Sequence, residues 1–166
     1  MAGSRYRVAV IGLAHMHVNE LMRQFAALPD VEMVAVADTG RAEVNQSSPS
    51  TRAHTLRVAQ SEIGIPHTYA DYHELLEREQ PDIVLLCPEL AYAADIGEAV
   101  ASRGAHIVTE KPFTASLAGA HRLAQAAQAA GVQLMVNWPS AWSGAIRCMQ
   151  QLVQDGEAGA VLQVHT

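Results

Sequence analysis

Lys111 is the only lysine of the chain; the other ten residues counted as Lys or Arg are arginines. A guanidinium stays charged at any working pH, whereas a lysine ammonium can be desolvated into a useful range and give or take a proton. Lys111 stands in Ala105-His106-Ile107-Val108-Thr109-Glu110-Lys111-Pro112-Phe113, between an acid and a proline and just past a β-branched run. A second cluster of chemistry-bearing residues is Gly12-Leu13-Ala14-His15-Met16-His17. Two histidines at this spacing could ligate a metal, but no acid or cysteine cluster is near them in sequence. A helix amino terminus, where they fall, favours anions over cations. No metal is therefore expected. A third candidate is Asp38, an acid closing an apolar run in Asp38-Thr39-Gly40; it reads as a ligand for hydroxyl groups or as a turn residue.

These groups need elements to position them. Arg7-Val8-Ala9-Val10-Ile11 is a near-continuous apolar run and predicts a strand buried on both faces. After the glycine turn, Val18, Leu21, Met22 and Phe25 recur at helical spacing, and Pro29-Asp30 ends that helix. Val31 to Ala37 is a second strand, closed by Asp38. Strand, glycine turn, helix, strand and acid make up the dinucleotide-binding unit, with the acid about 20 residues past the turn to hold a ribose 2′-hydroxyl. A carboxylate there repels a 2′-phosphate, so NAD is preferred and NADP allowed; Arg41 could soften the preference. The turn departs from Gly-x-Gly-x-x-Gly/Ala, with Ala14 at the second position and His17 at the third.

Further along, Asn45 to Ser50 reads as a surface loop, and Thr51 as the cap of a helix running to Glu62 and stopped by Gly64. Ile65 to Tyr69 predicts a short strand, and Asp71-x-x-Glu74 a capping box opening a helix to about Glu79. Ile83 to Cys87 is another buried strand, and Ala91 to Arg103 a helix ended by Gly104. Ile107-Val108-Thr109 is the strand leading to Lys111, which places that lysine at a strand's carboxyl end, where open α/β sheets bind ligands. Ser116 caps a long helix ending at Gly131. Val132 to Val136 predicts a strand, Ser143 to about Gln154 a helix, and Gly159 to Val164 the start of one more strand. The alternation predicts an α/β class with a doubly wound parallel sheet. Cys87 reads as a small buried hydrophobe. Trp138 and Trp142 read as pocket-lining or simply packed aromatics.

With 166 residues, 49% hydrophobic and 17% charged, the chain can bury a sizeable core. A net charge of -6 and no basic run exclude nucleic acid as an expected partner. Cys87 and Cys148 have no metal-ligand spacing and suggest a reducing compartment. The apolar run after Arg7 breaks at His15 without a cleavage-like site, so it is not read as a signal peptide. No run approaches the ~18 apolar residues of a membrane span. No membrane partner and a cytoplasmic location are expected.

From about Arg7 onward the chain resembles the nucleotide-binding domain of the glucose–fructose oxidoreductase / inositol dehydrogenase (Gfo/Idh/MocA) family. The residues that carry the resemblance are Gly12, Asp38, Tyr69-x-Asp71-Tyr72-x-x-Leu75-Leu76, Pro81-Asp82-Ile83-Val84, Pro88, Gly156-Glu157-x-Gly159 and, most specifically, Glu110-Lys111-Pro112. The resemblance implies a Rossmann fold and hydride transfer between NAD(P) and a carbinol carbon of a small polyol, a sugar or cyclitol. It implies Lys111 as the catalytic residue, often with a cis peptide before the proline. It implies cofactor contacts from Gly12, Ala14, His15, His17, Asp38, Pro88 and Glu110. Residues 1–142 would be the dinucleotide-binding domain. Residues 143–166 would be a linker helix and the first strand of a truncated C-terminal domain, whose apolar edge at Val161 to Val164 predicts self-association and hence a homo-oligomer. The family's substrate domain is not expected within these residues, so activity of the chain alone is left open. Glu89 and Tyr92 stand where the family often has Asn and His, and Asn137-Trp138-Pro139 where an arginine is common. A non-catalytic nucleotide-binding or interaction module is the alternative reading. A methyltransferase would share the turn and the acid but would not explain Glu110-Lys111-Pro112.

Overall fold

The computed structural model describes residues 5–39 and 52–163. The expectations for Arg41, for the loop at 45–50, for the Thr51 cap and for Val164 lie outside those residues. The elements run β1 (Tyr6–Ile11), α1 (His17–Ala26), β2 (Val31–Ala37), α2 (Arg52–Arg57), β3 (His67–Tyr69), α3 (Tyr72–Glu79), β4 (Ile83–Leu86), α4 (Leu90–Ser102), β5 (His106–Glu110), α5 (Leu117–Ala130), β6 (Leu134–Asn137) and α6 (Gly144–Gln154). A π-helical segment, Val58–Ile63, continues α2, and a 3-10 turn, Pro139–Trp142, precedes α6.

Six strands form one sheet in the order β3-β2-β1-β4-β5-β6. β1 pairs in parallel with both β2 and β4, β2 with β3, and β4 with β5. This is the doubly wound α/β architecture. The order reverses between β1 and β4, and a crevice opens there at the carboxyl ends of the strands.

Period-two alternation divides the core between the two faces of the sheet. Ala9, Ile11, Val84, Leu86 and Ile107 pack with Leu75 and Leu76 of α3, Ile96 and Val100 of α4, and Leu123 of α5. Val8, Val10, Leu85 and Val108 pack on the other face with Val18, Leu21 and Met22 of α1. Helices cover both faces, which is why these strands read as unbroken apolar runs. α4 and α5 approach closely because Gly97 has no side chain: a Cβ there would lie 2.5 Å from Leu123 Cδ1.

Several local details differ from the sequence expectation. β3 begins at His67, because Ile65 is buried in the core and its N–H goes to Ala59 O at 2.9 Å. Asp71 caps α3 by accepting from His73 N–H at 2.9 Å, while Glu74 pairs with Arg78 at 3.0 Å, so no reciprocal capping box forms. Cys87 lies just beyond β4. Residues 159–163 form no strand, a correction to the expected one. Gly159 there takes φ of 66°, and Gly156 just before the segment 75°, a left-handed backbone that departs from an extended path. The chain divides into two compact units, one ending at Val136 and one beginning at Asn137. In the second unit Ile146, Met149, Leu152 and Val153 of α6 are exposed.

Glu79 is a buried carboxylate that ties α3 to the sheet edge. It accepts from Arg7 Nη2 at 2.8 Å and Tyr69 Oη at 2.5 Å, and pairs with His67 Nδ1 at 2.6 Å. Burial alone would raise its carboxyl pKa; the bonds from Tyr69 and His67 and the Arg7 charge outweigh burial and hold it below the ordinary value. A depressed folded-state pKa means that the unfolded chain binds the proton more readily. The stabilisation is therefore complete above the unfolded value, near 4.5, and is lost as pH falls through the folded one. Glu79→Gln is expected to lower stability at neutral pH by about 1–2 kcal/mol, because Arg7 and His67 are partly solvated. Thermal melts across pH 3 to 7 should show a shallower acid dependence in the variant; an unchanged slope would remove Glu79 as its source.

Candidate functional site

Gly12 follows β1 with φ of 87°, and a Cβ there would lie 2.3 Å from Pro88 N and 2.4 Å from Pro88 Cα. Its N–H donates to Ala37 O at 2.8 Å, Ala14 N–H to Cys87 O at 3.0 Å, and Cys87 N–H to Ile11 O at 2.8 Å. The glycine turn is thus fastened to the ends of both β2 and β4, at the point where the sheet order reverses. Glycine is required because only it combines a left-handed φ with backbone contact at that distance.

Beside this turn is a cavity of 190 Å³ lined by Ala14, His15, Pro88, Glu89, Glu110 and Lys111 among others. The fold therefore collects five of the anticipated site residues, drawn from the ends of β1, β4 and β5. The peptide between Lys111 and Pro112 is cis. Glu110 is buried and Lys111 half-buried, at the end of a strand whose Thr109 is also buried. His17 joins the cluster through Glu110, its Nδ1 lying 3.2 Å from Glu110 Oε2. The third position of the turn, where a small residue usually allows helix and strand to approach, thus carries a side chain bound to the Glu-Lys-Pro segment.

His15 and His17 meet edge to face with ring centroids 4.4 Å apart. His17 N–H donates to His15 Nδ1 at 3.2 Å. Burial, then the neighbouring His17 and Lys111 charges, hold the His15 pKa below the ordinary value despite Glu110. At neutral pH the ring is uncharged, and with Nδ1 accepting, the proton sits on Nε2 as a donor. The sequence showed no acid near this histidine pair; the fold supplies Glu110. Ligand atoms of His15, His17 and Glu110 lie within 4.8 Å of one another, a spacing that could hold one cation. The amino terminus of α1 and the nearby lysine oppose a cation and favour an anion. Burial, with Glu110 adding to it, pushes the Cys87 thiol pKa up, which suits an inert core thiol.

Asp38 lies apart from this cavity, at the end of β2. It pairs with Arg52 Nη1 at 3.3 Å. Arg52 also bonds Glu89 through Nη2, and Thr39 Oγ1 donates to Glu89 Oε2 at 2.8 Å. Thr39 further lines an open hollow of 470 Å³ with Asp71, Tyr72 and Tyr92. Sequence reasoning missed Arg52; only contact with two acids distant in sequence marks it. Trp138 and Trp142 are more than half exposed.

Residues 6–138 match the Gfo/Idh/MocA family, an oxidoreductase family with an NAD-binding Rossmann fold. The chain belongs to that family. It is 28% identical over 155 residues to D-apiose dehydrogenase of Paraburkholderia graminis, covering 93% of this chain and 38% of the relative. It is 25% identical over 156 residues to myo-inositol 2-dehydrogenase of Thermotoga maritima, covering 92% and 42%. It shares its fold with scyllo-inositol dehydrogenase of Lactobacillus casei, solved with NAD(H) and scyllo-inositol, at a TM-score of 0.75 and 18% identity over 94% of this chain and 43% of that one. The chain thus spans about two fifths of the length of these relatives. It is an NAD-binding Rossmann domain. Among the described residues no helix is long and apolar enough to cross a membrane.

Proposed function

We propose that this chain serves an NAD(P)-dependent oxidoreductase that moves a hydride between the nicotinamide and a carbinol carbon of a sugar or cyclitol-like substrate, with Lys111 as the acid/base. The observation that carries the reading is the cavity in which Lys111 and Glu110 face the glycine turn across the switch point of the sheet. A bound NAD would supply the hydride acceptor. The Gly12–His17 turn and the amino terminus of α1 would hold its pyrophosphate, with His15 offering Nε2–H. Asp38 would accept the ribose hydroxyls, and Pro88 would wall the crevice opposite Gly12. Lys111 would take the hydroxyl proton as the carbinol is oxidised and return it in the reverse direction. Glu110, fixed by His17, would position the lysine backbone, since Lys111 N–H lies 3.3 Å from Glu110 Oε2. The named activities of the relatives, on apiose and inositols, support a polyol substrate.

Titration of the chain with NADH by calorimetry tests the cofactor half of this reading. Saturable binding is expected, weakened about ten-fold or more in Asp38→Ala through loss of hydrogen bonds to the ribose. Equal affinity in the variant would remove Asp38 from the site. One observation favours a non-catalytic nucleotide-binding module: Glu89, where an amide is frequent, is bonded to Arg52 and Thr39. Nucleotide binding without oxidation of any polyol by the protein would select that reading.

A further inference from the structure

We infer that the dinucleotide pyrophosphate enters this site together with a proton from solvent, which settles on His15; the inference rests on the cofactor-binding reading above. The start of α1 is engaged by its own turn. Val18 N–H donates to His15 O and Asn19 N–H to Met16 O, each at 3.1 Å. His17 N–H donates to the His15 ring, at Nδ1 and 3.2 Å. The last of these bonds runs to a side chain, so a turn of the ring releases it without unwinding the helix. N–H groups of this kind are what hold an anion at a helix amino terminus. A pyrophosphate that takes His17 N–H displaces His15 Nδ1 and leaves a basic ring nitrogen beside an anion. His15 lines the cavity next to the glycine turn, so the displaced ring stays close to the pyrophosphate.

The charges around the ring then change their balance. In the free protein burial, His17 and Lys111 keep His15 neutral, and Glu110 pulls the other way and is outweighed. His17 comes from α1, and Glu110 and Lys111 from the end of β5. The positive end of α1 opposes an imidazolium further. The segment after β4 brings Cys87, whose thiol stays protonated, and Glu89, which is bonded to Arg52 and Thr39. The pyrophosphate is fully ionised at neutral pH. Beside His15 it favours the charged ring, as an opposite charge within a few ångströms does, and it offers acceptors to both ring N–H groups. The proton comes from the buffer and forms the second N–H of the ring; no bond of the nucleotide breaks. Binding thus raises the ring's hold on a proton. The resulting gain in affinity is complete below the free-state pKa, which lies under 6.5, and is lost as pH rises to the bound-state one.

Calorimetric titration of the full chain with NADH at neutral pH, in buffers of different ionisation enthalpy, counts the protons taken up. NADPH is unsuitable because its 2′-phosphate titrates in the same range. Wild type is expected to take up about half to one proton, and its NADH affinity to fall by up to about ten-fold per unit of rising pH. In His15→Gln the uptake should drop below about a fifth of a proton and the pH dependence should flatten. His17→Gln keeps the His15 ring and should retain the uptake. Circular dichroism melts verify folding, and His15→Asn stands in if His15→Gln does not fold. NADH binding by wild type without proton uptake, uptake that survives in the folded His15 variant, or uptake lost in His17→Gln would overturn the inference and leave the cofactor reading intact. Failure of the folded wild type to bind NADH would overturn both.

Discussion

Gly12→Ala is expected to destabilise the protein by about 4 kcal/mol and to abolish nucleotide binding in whatever fraction still folds. Two costs add. A non-glycine residue at φ of 87° is strained by roughly 1–2 kcal/mol. The new Cβ would also lie 2.3 Å from Pro88 N, 2.4 Å from Pro88 Cα and 2.6 Å from Cys87 C. Those are backbone atoms, and no rotamer change can clear them. They belong to the segment after β4, whose Cys87 N–H is bonded to Ile11 O. Relief would push the turn out of the crevice or break the junction of β1 and β4, at an overpacking cost of roughly 1–3 kcal/mol. Against a typical stability of about 5–15 kcal/mol, that is a large fraction. Urea denaturation measures it. A loss under 1 kcal/mol would show that the turn can move without harm, and Pro88 would then no longer be a rigid wall of the site. Gly64→Ala is the comparison: it also has positive φ, at 80°, but a Cβ there meets nothing within 4 Å, so it should cost only the strain.

If the proposed reaction holds, Lys111→Met is expected to cut the rate of polyol oxidation by the complete protein about a thousand-fold, while NADH affinity stays within about two-fold. Methionine preserves most of the side-chain length and removes the transferable proton. A thousand-fold corresponds to about 4 kcal/mol of transition-state stabilisation. Arginine is the sharper probe. It restores the positive charge but cannot give up a proton, so Lys111→Arg should be nearly as inactive as Lys111→Met if proton transfer is the role. Substantial rescue by arginine would assign Lys111 to substrate orientation or charge stabilisation. The bonded Glu110–His17 pair is present in wild type and variants alike and does not contribute to this difference.

Much of this molecule was legible in its sequence. The apolar runs at Val8 to Ile11 and Ile83 to Leu86, the helical spacing of Val18, Leu21 and Met22, and the glycine stops at Gly64, Gly104 and Gly131 placed nearly every element. They do so because burial on both faces of a parallel sheet and left-handed helix ends are strong local demands. Where local demands compete, the reading slipped. Ile65 is apolar and β-branched, yet the core takes it before the strand begins. Asp71 bonds two residues ahead rather than joining a reciprocal box. Val161 to Gln163 carry apolar residues, but nothing local fixes a register, and no strand forms there.

Lys111 stood out by composition, and Gly12 and Asp38 by spacing, so the sequence by itself determined the family, the sheet architecture and the catalytic candidate. The tertiary structure decided the pairings. It set Glu110 against His17, 93 residues away, and gave a histidine pair the acid that its neighbourhood in sequence lacked. It bonded Arg52 to both Asp38 and Glu89, which gives the acid after β2 a cationic partner. Such contacts join residues distant in sequence at the carboxyl edge of one sheet. They follow from strand order and register, which are set by the packing of the whole core, and no local pattern of residues encodes them.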